Sequence, residues 1–420
     1  MTEAHLLDSR VAWVRLLVSL AVATVAGVGM WSVVVVMPAV EAEFGVGRGT
    51  AALAYAATMV GYALGNLLMG RFVDRFGITR TLILAALAMA AGYVVSASAQ
   101  DLGLFALAQG LLIGTGAAAG FGPLIADISH WFARRRGVAV AIAASGNYLS
   151  GAVWPLILKE LLEGGNWRAA HLSIAATCVI LIVPLALLLR RAPPILVQPA
   201  GGISGGERGG RSGLSPRALQ WLLGLAGVGC CVAMSMPQVH IVALCADLGY
   251  GVAAGAEMLA LMLTAGIASR LLSGALADLI GGIRTLLIGS VLQALALALY
   301  VPADGLASLY VVSLVFGLSQ GGIVPSYAVI VREHLPAREA GRRVGFVMMA
   351  TVLGMALGGW MSGWIFDLTG SYRLAFLNGI AFNLLNLAII LTVFWRSSGP
   401  RIALPYDEMK QSRCVEPRPN

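Results

Sequence analysis

The residue most able to do chemistry in this chain is Arg270. It is the one charge in the 20 residues from Met258 to Ala277, an otherwise apolar and small-residue run. Carrying a guanidinium into a bilayer costs at least about 2.5–3.5 kcal/mol, so such residues face a water-filled cavity or an anionic partner. Two readings are open. The planar fork of Arg270 matches a carboxylate bidentately, or it is satisfied by backbone carbonyls and snorkelling. The first predicts an anion-binding cavity, because the interiors of the other apolar runs contain no Asp, Glu, Lys or Arg.

Around Arg270, residues near the middle of other runs are candidates to complete such a cavity: Asn147 and Tyr148 in the fifth, and Gln320, Ser326 and Tyr327 around Pro325 in the tenth. Trp31 in the first and Phe121 in the fourth would close its apolar side. Interhelical packing or hydrogen bonding serves equally for each of these, since polar residues also join membrane helices. His240, after Pro237 and before Asp247, is a candidate proton site or an interfacial histidine beside a helix break.

The elements that must hold these residues follow from composition. Hydrophobic residues make up 59% of the 420, charged residues 11%, and mean hydropathy is +0.85. That excludes an ordinary soluble domain and a disordered chain. With about 20 apolar residues needed per crossing, runs lie at roughly 13–37, 51–71, 81–99, 103–127, 137–159 and 168–190. A second set follows at roughly 218–243, 253–277, 284–301, 306–330, 343–366 and 374–395. The expected fold is an all-α polytopic membrane protein of twelve transmembrane helices. Its organisation is a six-helix half over 1–190, a flexible Pro- and Gly-rich linker over 191–217, a second half over 218–396 and a tail over 397–420.

The net charge of +8 does not mark a nucleic-acid face, because the basic residues fall in the gaps between runs. Of the 28 Lys and Arg, only Arg48, Lys159, Arg168 and Arg373 fall on one face, and Arg270 lies in a span; 23 remain for the other face. The positive-inside rule then puts both termini in the cytoplasm and the chain in the cell (inner) membrane. Five scattered cysteines have no metal-ligand or disulfide spacing, and no nucleophile, metal or nucleotide motif suggests an enzyme or a cofactor. The expected partners are the lipid bilayer and a small organic anion, with protons as an open co-substrate, and a monomer is expected. The remaining soluble segments are too short for ordinary signalling domains, which disfavours a non-transporting sensor.

The two halves repeat. Gly70-x3-Asp74-x2-Gly77-x2-Arg80 returns as Gly274-x3-Asp278-x2-Gly281-x2-Arg284, offset by 204 residues. Trp167-Arg168 returns as Tyr372-Arg373, and Pro123 as Pro325. Parallel duplication of this kind places a binding site near the midplane between halves. Small residues at Gly61-x3-Gly65, Gly110-x3-Gly114, Gly354-x3-Gly358 and Gly359-x3-Gly363 permit close helix approach.

The loop Gly70-Arg71-Phe72-Val73-Asp74-Arg75-Phe76-Gly77-Ile78-Thr79-Arg80 resembles the signature of the major facilitator superfamily, with its degenerate copy at Gly274. Gly114-x-Gly116, Pro123, the stretch His130-Trp131-Phe132-Ala133-Arg134-Arg135-Arg136-Gly137, Asn166-Trp167-Arg168 and Arg270 are similar to the monocarboxylate transporter and oxalate/formate exchanger branch. The resemblance implies two pseudo-symmetric six-helix halves and alternating-access transport of monocarboxylates, by proton symport or anion exchange. It also implies a gate latch at the signature loops, formed by Asp74, Arg75, Arg80, Arg136 and Asp278. Three positions depart from the pattern. Gly266 stands where some members carry an acid one turn before the arginine, no basic residue lies between Arg15 and Arg48, and Ala106 replaces an antiporter-type arginine.

Overall fold

The computed structural model describes residues 7–163, 166–191, 214–335 and 340–397, without the side chains of residues 136, 137, 163, 340 and 341. The tail, most of the 191–217 linker and the Arg136 side chain lie outside the described residues. Every regular element among the described residues is helical. Among the described residues eleven helical runs are long and apolar enough to cross a membrane. One of them, Arg48–Ser98, has 51 residues. At 1.5 Å per residue it is more than twice as long as a hydrocarbon core of about 30 Å requires.

That run contains a reversal. Gly77 has φ 77° and ψ 166°, a conformation open in practice to glycine alone, so two crossings meet there and the described residues form twelve. Gly281, its partner in the repeat, has nearly the same geometry, φ 86° and ψ 160°. Duplication read from the sequence therefore extends to backbone conformation.

We number the crossings α1 (Arg10–Phe44), α2 (48–76), α3 (78–98), α4 (Leu102–Ser129), α5 (Arg136–Glu163) and α6 (Trp167–Leu188). The second half comprises α7 (Pro216–Asp247), α8 (Gly251–Ile280), α9 (Gly282–Tyr300), α10 (Leu306–His334), α11 (Ala340–Thr369) and α12 (Arg373–Ser397). The halves meet along α1 with α7, α2 with α11 and α5 with α8, pairs related by the repeat. Small residues make this approach possible: a Cβ on Gly359 would lie 2.7 Å from Tyr55, and one on Gly363 would lie 2.9 Å from the Arg48 carbonyl. Leu104, Leu107 and Leu111 form an exposed stripe on α4, as do Leu292, Leu295 and Leu299 on α9. In water such stripes would drive aggregation; in a bilayer they are the lipid face.

Two helices are broken near the middle by the repeated prolines. In α4 a 3-10 turn at Ala118–Gly120 and an irregular Phe121 precede Pro123. In α10 the helix stops at Gln320 and restarts at Ile323, with Pro325 in the new first turn. A proline has no N–H to give the carbonyl four residues back, which here is Gly321. That carbonyl is left to another donor.

The first helix corrects one expectation. Ser9 caps it by accepting from Ala12, so it begins at Arg10 and carries Arg15 inside. Arg15 makes a bidentate pair with Asp127 of α4, Nε to Oδ2 at 2.8 Å and Nη2 to Oδ1 at 2.9 Å. Both side chains are about 5% exposed or less. A fixed charge pair therefore does lie within the N-terminal half. Length placed the helix start near residue 13, with Arg15 at its very end, and the pairing that permits an earlier start is 112 residues away in sequence. The Asp8 carboxylate meanwhile accepts from the backbone N–H groups of Ala133, Arg134 and Arg135. The Arg134 hydrogen bond is the main cause holding its pKa below the ordinary carboxylate value. The α4–α5 loop is thus tied to the start of the chain. Four cysteines are buried, as small packing residues should be; Cys414 lies outside the described residues.

Candidate functional site

Arg270 emerges from α8 at the junction of the halves. Its Nη1 donates to the Ala144 carbonyl of α5 at 3.0 Å, and its Nε donates to the Gly321 carbonyl at 3.3 Å. The second acceptor is the one that Pro325 leaves unpaired. The guanidinium lies over the Tyr148 ring, 4.2 Å from its centroid. Two of its five donors are therefore satisfied by carbonyls, but a carbonyl is neutral and does not balance the charge. Among the described residues no carboxylate pairs with Arg270.

The arginine lines a cavity of about 390 Å³ between the halves. Asn147, Tyr148, Trp31 and Phe121, expected from the sequence, line it as well. Trp31 is fixed by donating Nε1–H to the Asn147 carbonyl at 3.2 Å. The Oδ1 of Asn147 is buried with no partner among the described residues. Tyr148 explains the glycine at 266: a Cβ there would lie 2.3 Å from the tyrosine Cε1. The space of any side chain at 266, acidic or not, is filled by the ring that stacks on Arg270.

Three expected residues are not brought to the cavity. Tyr327 is fully buried and donates its hydroxyl to Oδ1 of Asn386 at 2.7 Å, inside the second half. Ser326 donates to the Gly322 carbonyl in its own helix. Gln320 lies behind Gln238, whose Nε2 donates to its Oε1 at 2.7 Å. Depth in the membrane suggested these three, but they point away from the axis between the halves.

Residues the sequence did not single out take their place: Asn66 and Tyr62 of α2, Gln238 and Met234 of α7, and Thr351, Val352 and three methionines of α11. The repeat was the available signal. Asn66 is the 204-offset mate of Arg270, Thr351 of Asn147, Val352 of Tyr148 and Met234 of Met30, and all eight line the cavity.

A second cavity, about 430 Å³, opens toward the opposite face between Val35, Lys159, Trp167 and Val252. Its one cation, Lys159, already pairs with Glu257 of α8 at 2.6 Å. The Arg270 cavity is the one that holds an unbalanced charge.

On that opposite face the halves are locked together. Arg48, 7% exposed, stands at the start of α2. Its Nε donates to Glu41 at 2.8 Å within the first half. Across the interface Nη1 donates to Asp247 and, at 2.9 Å, to the Tyr372 hydroxyl, while Nη2 donates to Asp247 at 3.1 Å. Asp367 of α11 accepts from the backbone N–H of Arg48 at 2.7 Å and of Gly49 at 2.8 Å, capping α2 from the other half. The Lys159–Glu257 pair, joined by the Tyr310 hydroxyl, is a further link.

His240 belongs to this cluster and does not line the cavity. Its Nε2 lies 2.7 Å from the Gly359 carbonyl and so carries the proton as donor. Its Nδ1 lies 3.0 Å from the Tyr372 hydroxyl. Burial raises the pKa of that hydroxyl well above its usual value. It therefore stays protonated, accepts from Arg48 and donates to a neutral His240.

The basic face is in the other state. Asp74, Arg75, Arg80 and Asp278 are exposed, and neither aspartate forms an ion pair among the described residues. Gly70 and Gly274, which open the two signature loops, have open space where a side chain would stand. The cavity walls run from the middle toward this face, through Leu67, Gly122, Val324 and Gly345.

Known proteins are similar to this chain in sequence and in fold. A family model described as Major Facilitator Superfamily matches residues 19–341 and 221–416. Monocarboxylate transporter 11 of Mus musculus is 32% identical over 345 residues, 78% of this chain and 73% of its own length. Monocarboxylate transporter 13 of Bos taurus is 28% identical over 351 residues, 82% of this chain and 79% of its own. In fold the chain is similar to a bacterial homologue of the human lysosomal transporter Spinster, solved inward-facing and unoccupied. The TM-score is 0.73 at 14% identity, with 93% of this chain and 97% of that one covered.

Proposed function

The chain belongs to the major facilitator superfamily and, within it, to the monocarboxylate transporter family, and from that premise we propose that it carries an organic monocarboxylate by alternating access with Arg270 as the anion anchor. The observation that carries this reading is a lone guanidinium on the inter-half cavity whose protein acceptors are both neutral. A carboxylate supplies the missing charge and engages the fork in the geometry that arginine favours. The halves over 1–190 and 218–396 are then the rocking units. The Arg48 cluster is the closed gate on one face, and the Asp74 and Asp278 loops form the latch that closes the other. The basic face is cytoplasmic, by the positive-inside rule, in a cell (inner) membrane.

Coupling follows from the same charge. Among the described residues no carboxylate or imidazole lines the cavity, and the Tyr148 ring fills the place at Gly266 where a proton-accepting acid would stand. An empty cavity keeps its positive charge, and occluding it without an anion is unfavourable. A loaded cavity is neutral and can occlude, which favours exchange of one anion for another over return of the empty carrier.

Uptake into proteoliposomes tests both parts. Arg270→Ala removes one partner of a charge pair, an effect of about 2–5 kcal/mol, or roughly 30-fold to several thousandfold in anion affinity. Arg270→Lys keeps the charge but loses the planar fork and recovers only part of the activity. Undiminished uptake in both variants would sink the Arg270 assignment. Preloaded counter-anion should stimulate wild-type uptake; accumulation driven by a pH gradient without counter-anion would reject exchange.

A further inference from the structure

The cavity is larger and more apolar than a short acid requires. Its 390 Å³ corresponds to roughly 13 liquid waters at about 30 Å³ each. Formate, oxalate or lactate would leave most of that space as water held against apolar wall. Trp31, Tyr62 and Phe121 supply aromatic faces, and Met234, Met348 and Met349 lie among the other wall residues. Methionine adapts to irregular apolar shapes and offers little to a hydrated ion. The amides leave only isolated polar points on this wall, the Oδ1 of Asn147 and the Oε1 of Gln238, which have no partner among the described residues. Asn66 donates to the Tyr62 carbonyl and Gln238 to Gln320, so each already has a donor engaged by the protein.

The charge count is equally restrictive. Arg270 and Asn66 occupy equivalent positions in the two repeats and line one cavity, yet only one is a cation. A second carboxylate would meet an amide where the repeat permits an arginine.

We infer that the occupant is a monocarboxylate with a bulky apolar body, aromatic or branched aliphatic, and not a short acid or a dianion. Its carboxylate engages Arg270 and its body fills the aromatic and methionine wall. This inference rests on the reading of Arg270 as the anion anchor.

Calorimetric titration of the purified full-length chain with acetate, butanoate, hexanoate, 3-phenylpropanoate, succinate and hexanamide separates the two. Affinity should rise about fourfold for each methylene buried, which makes hexanoate roughly two orders of magnitude tighter than acetate. Phenylpropanoate should match or exceed hexanoate, and succinate should bind no better than acetate. Met348→Ser and Phe121→Ala should weaken hexanoate several-fold more than acetate. Asn66→Arg should gain succinate affinity at least tenfold, and no gain overturns the charge-count argument. A flat or inverted series with hexanamide still excluded overturns the apolar body and leaves the anchor standing. Equal binding of hexanamide and hexanoate overturns the anchor, and this inference with it.

Discussion

Asp247→Asn tests the gate most directly, because it removes one charge from the cluster that crosses between the halves. The Arg48 and Asp247 side chains are 8% and 34% exposed. An exposed pair contributes about 0.2–1 kcal/mol, whereas breaking a fully buried one costs about 3–5 kcal/mol. Asparagine keeps an acceptor for Arg48, Glu41 still balances the guanidinium within the first half, and the bonds to Tyr372 and Asp367 remain. The expected loss therefore lies between those limits, about 1–2 kcal/mol, or a factor of roughly 5–30 in the ratio of closed to open states of the proposed gate. Spin labels at Ala42 and Leu248, both exposed near the cluster, would report the change as a longer component in their distance distribution. The control comes from the repeat. Glu43 is the 204-offset mate of Asp247, but it accepts from Trp167 and Arg168 of its own half. Glu43→Gln should lower stability and leave the distance distribution unchanged. If Asp247→Asn lowers the melting temperature without shifting the distances, the Arg48 cluster is a brace for α2 and not a gate. The gate reading also fails if Glu43→Gln shifts the distances as much.

Two further substitutions probe what holds the site. Gly266→Ala forces a methyl into the Tyr148 ring, an overpacking cost of about 1–3 kcal/mol, and should weaken anion binding in titration calorimetry. Adding Tyr148→Ala should restore stability relative to Gly266→Ala alone, and a silent Gly266→Ala would show that the ring is not held against the glycine. Asp127→Ala leaves Arg15 buried and unpaired, at about 3–5 kcal/mol, seen as a lowered melting temperature. Arg15→Met with Asp127→Leu should recover most of it, and an unchanged Asp127→Ala variant would refute burial of the pair.

The sequence reveals spans well because a bilayer demands about 20 apolar residues from each, and it reveals Arg270 because a charge in such a run needs a reason. It reveals Gly77 and Gly281 because a turn with positive φ needs glycine. What it hides is direction around a helix axis. Tyr327, Ser326 and Gln320 lie at a suitable depth but face their own half, while Asn66, Gln238 and the α11 methionines face the cavity without any charge to mark them. The Arg48 cluster was hidden for another reason. Arg48 reads as a loop charge, and its partners Asp247, Asp367 and Tyr372 are 199, 319 and 324 residues away. Only folding brings them together.

Function here depends on the places where the two repeats differ. Two arginines at positions 66 and 270 would hold a doubly charged cavity suited to a dianion; one arginine and one asparagine suit a monoanion. Two carboxylates used as Glu43 is used would brace each half separately and leave Arg48 without its carboxylate across the interface. Asp247 instead meets Arg48, whose own mate at 252 is a valine, so this cation reaches across the halves without a counterpart in the repeat. On the basic face Asp74 and Asp278 are unpaired among the described residues while Arg48 is fully engaged, so under the proposed alternating access the two faces are in opposite states. For alternation the lock must be weak enough for a ligand to overturn. Moving a two-state equilibrium from 1:99 to 99:1 takes about 5.5 kcal/mol of differential binding. A lock whose central charge contributes about 1–2 kcal/mol lies within reach of one carboxylate neutralising one guanidinium.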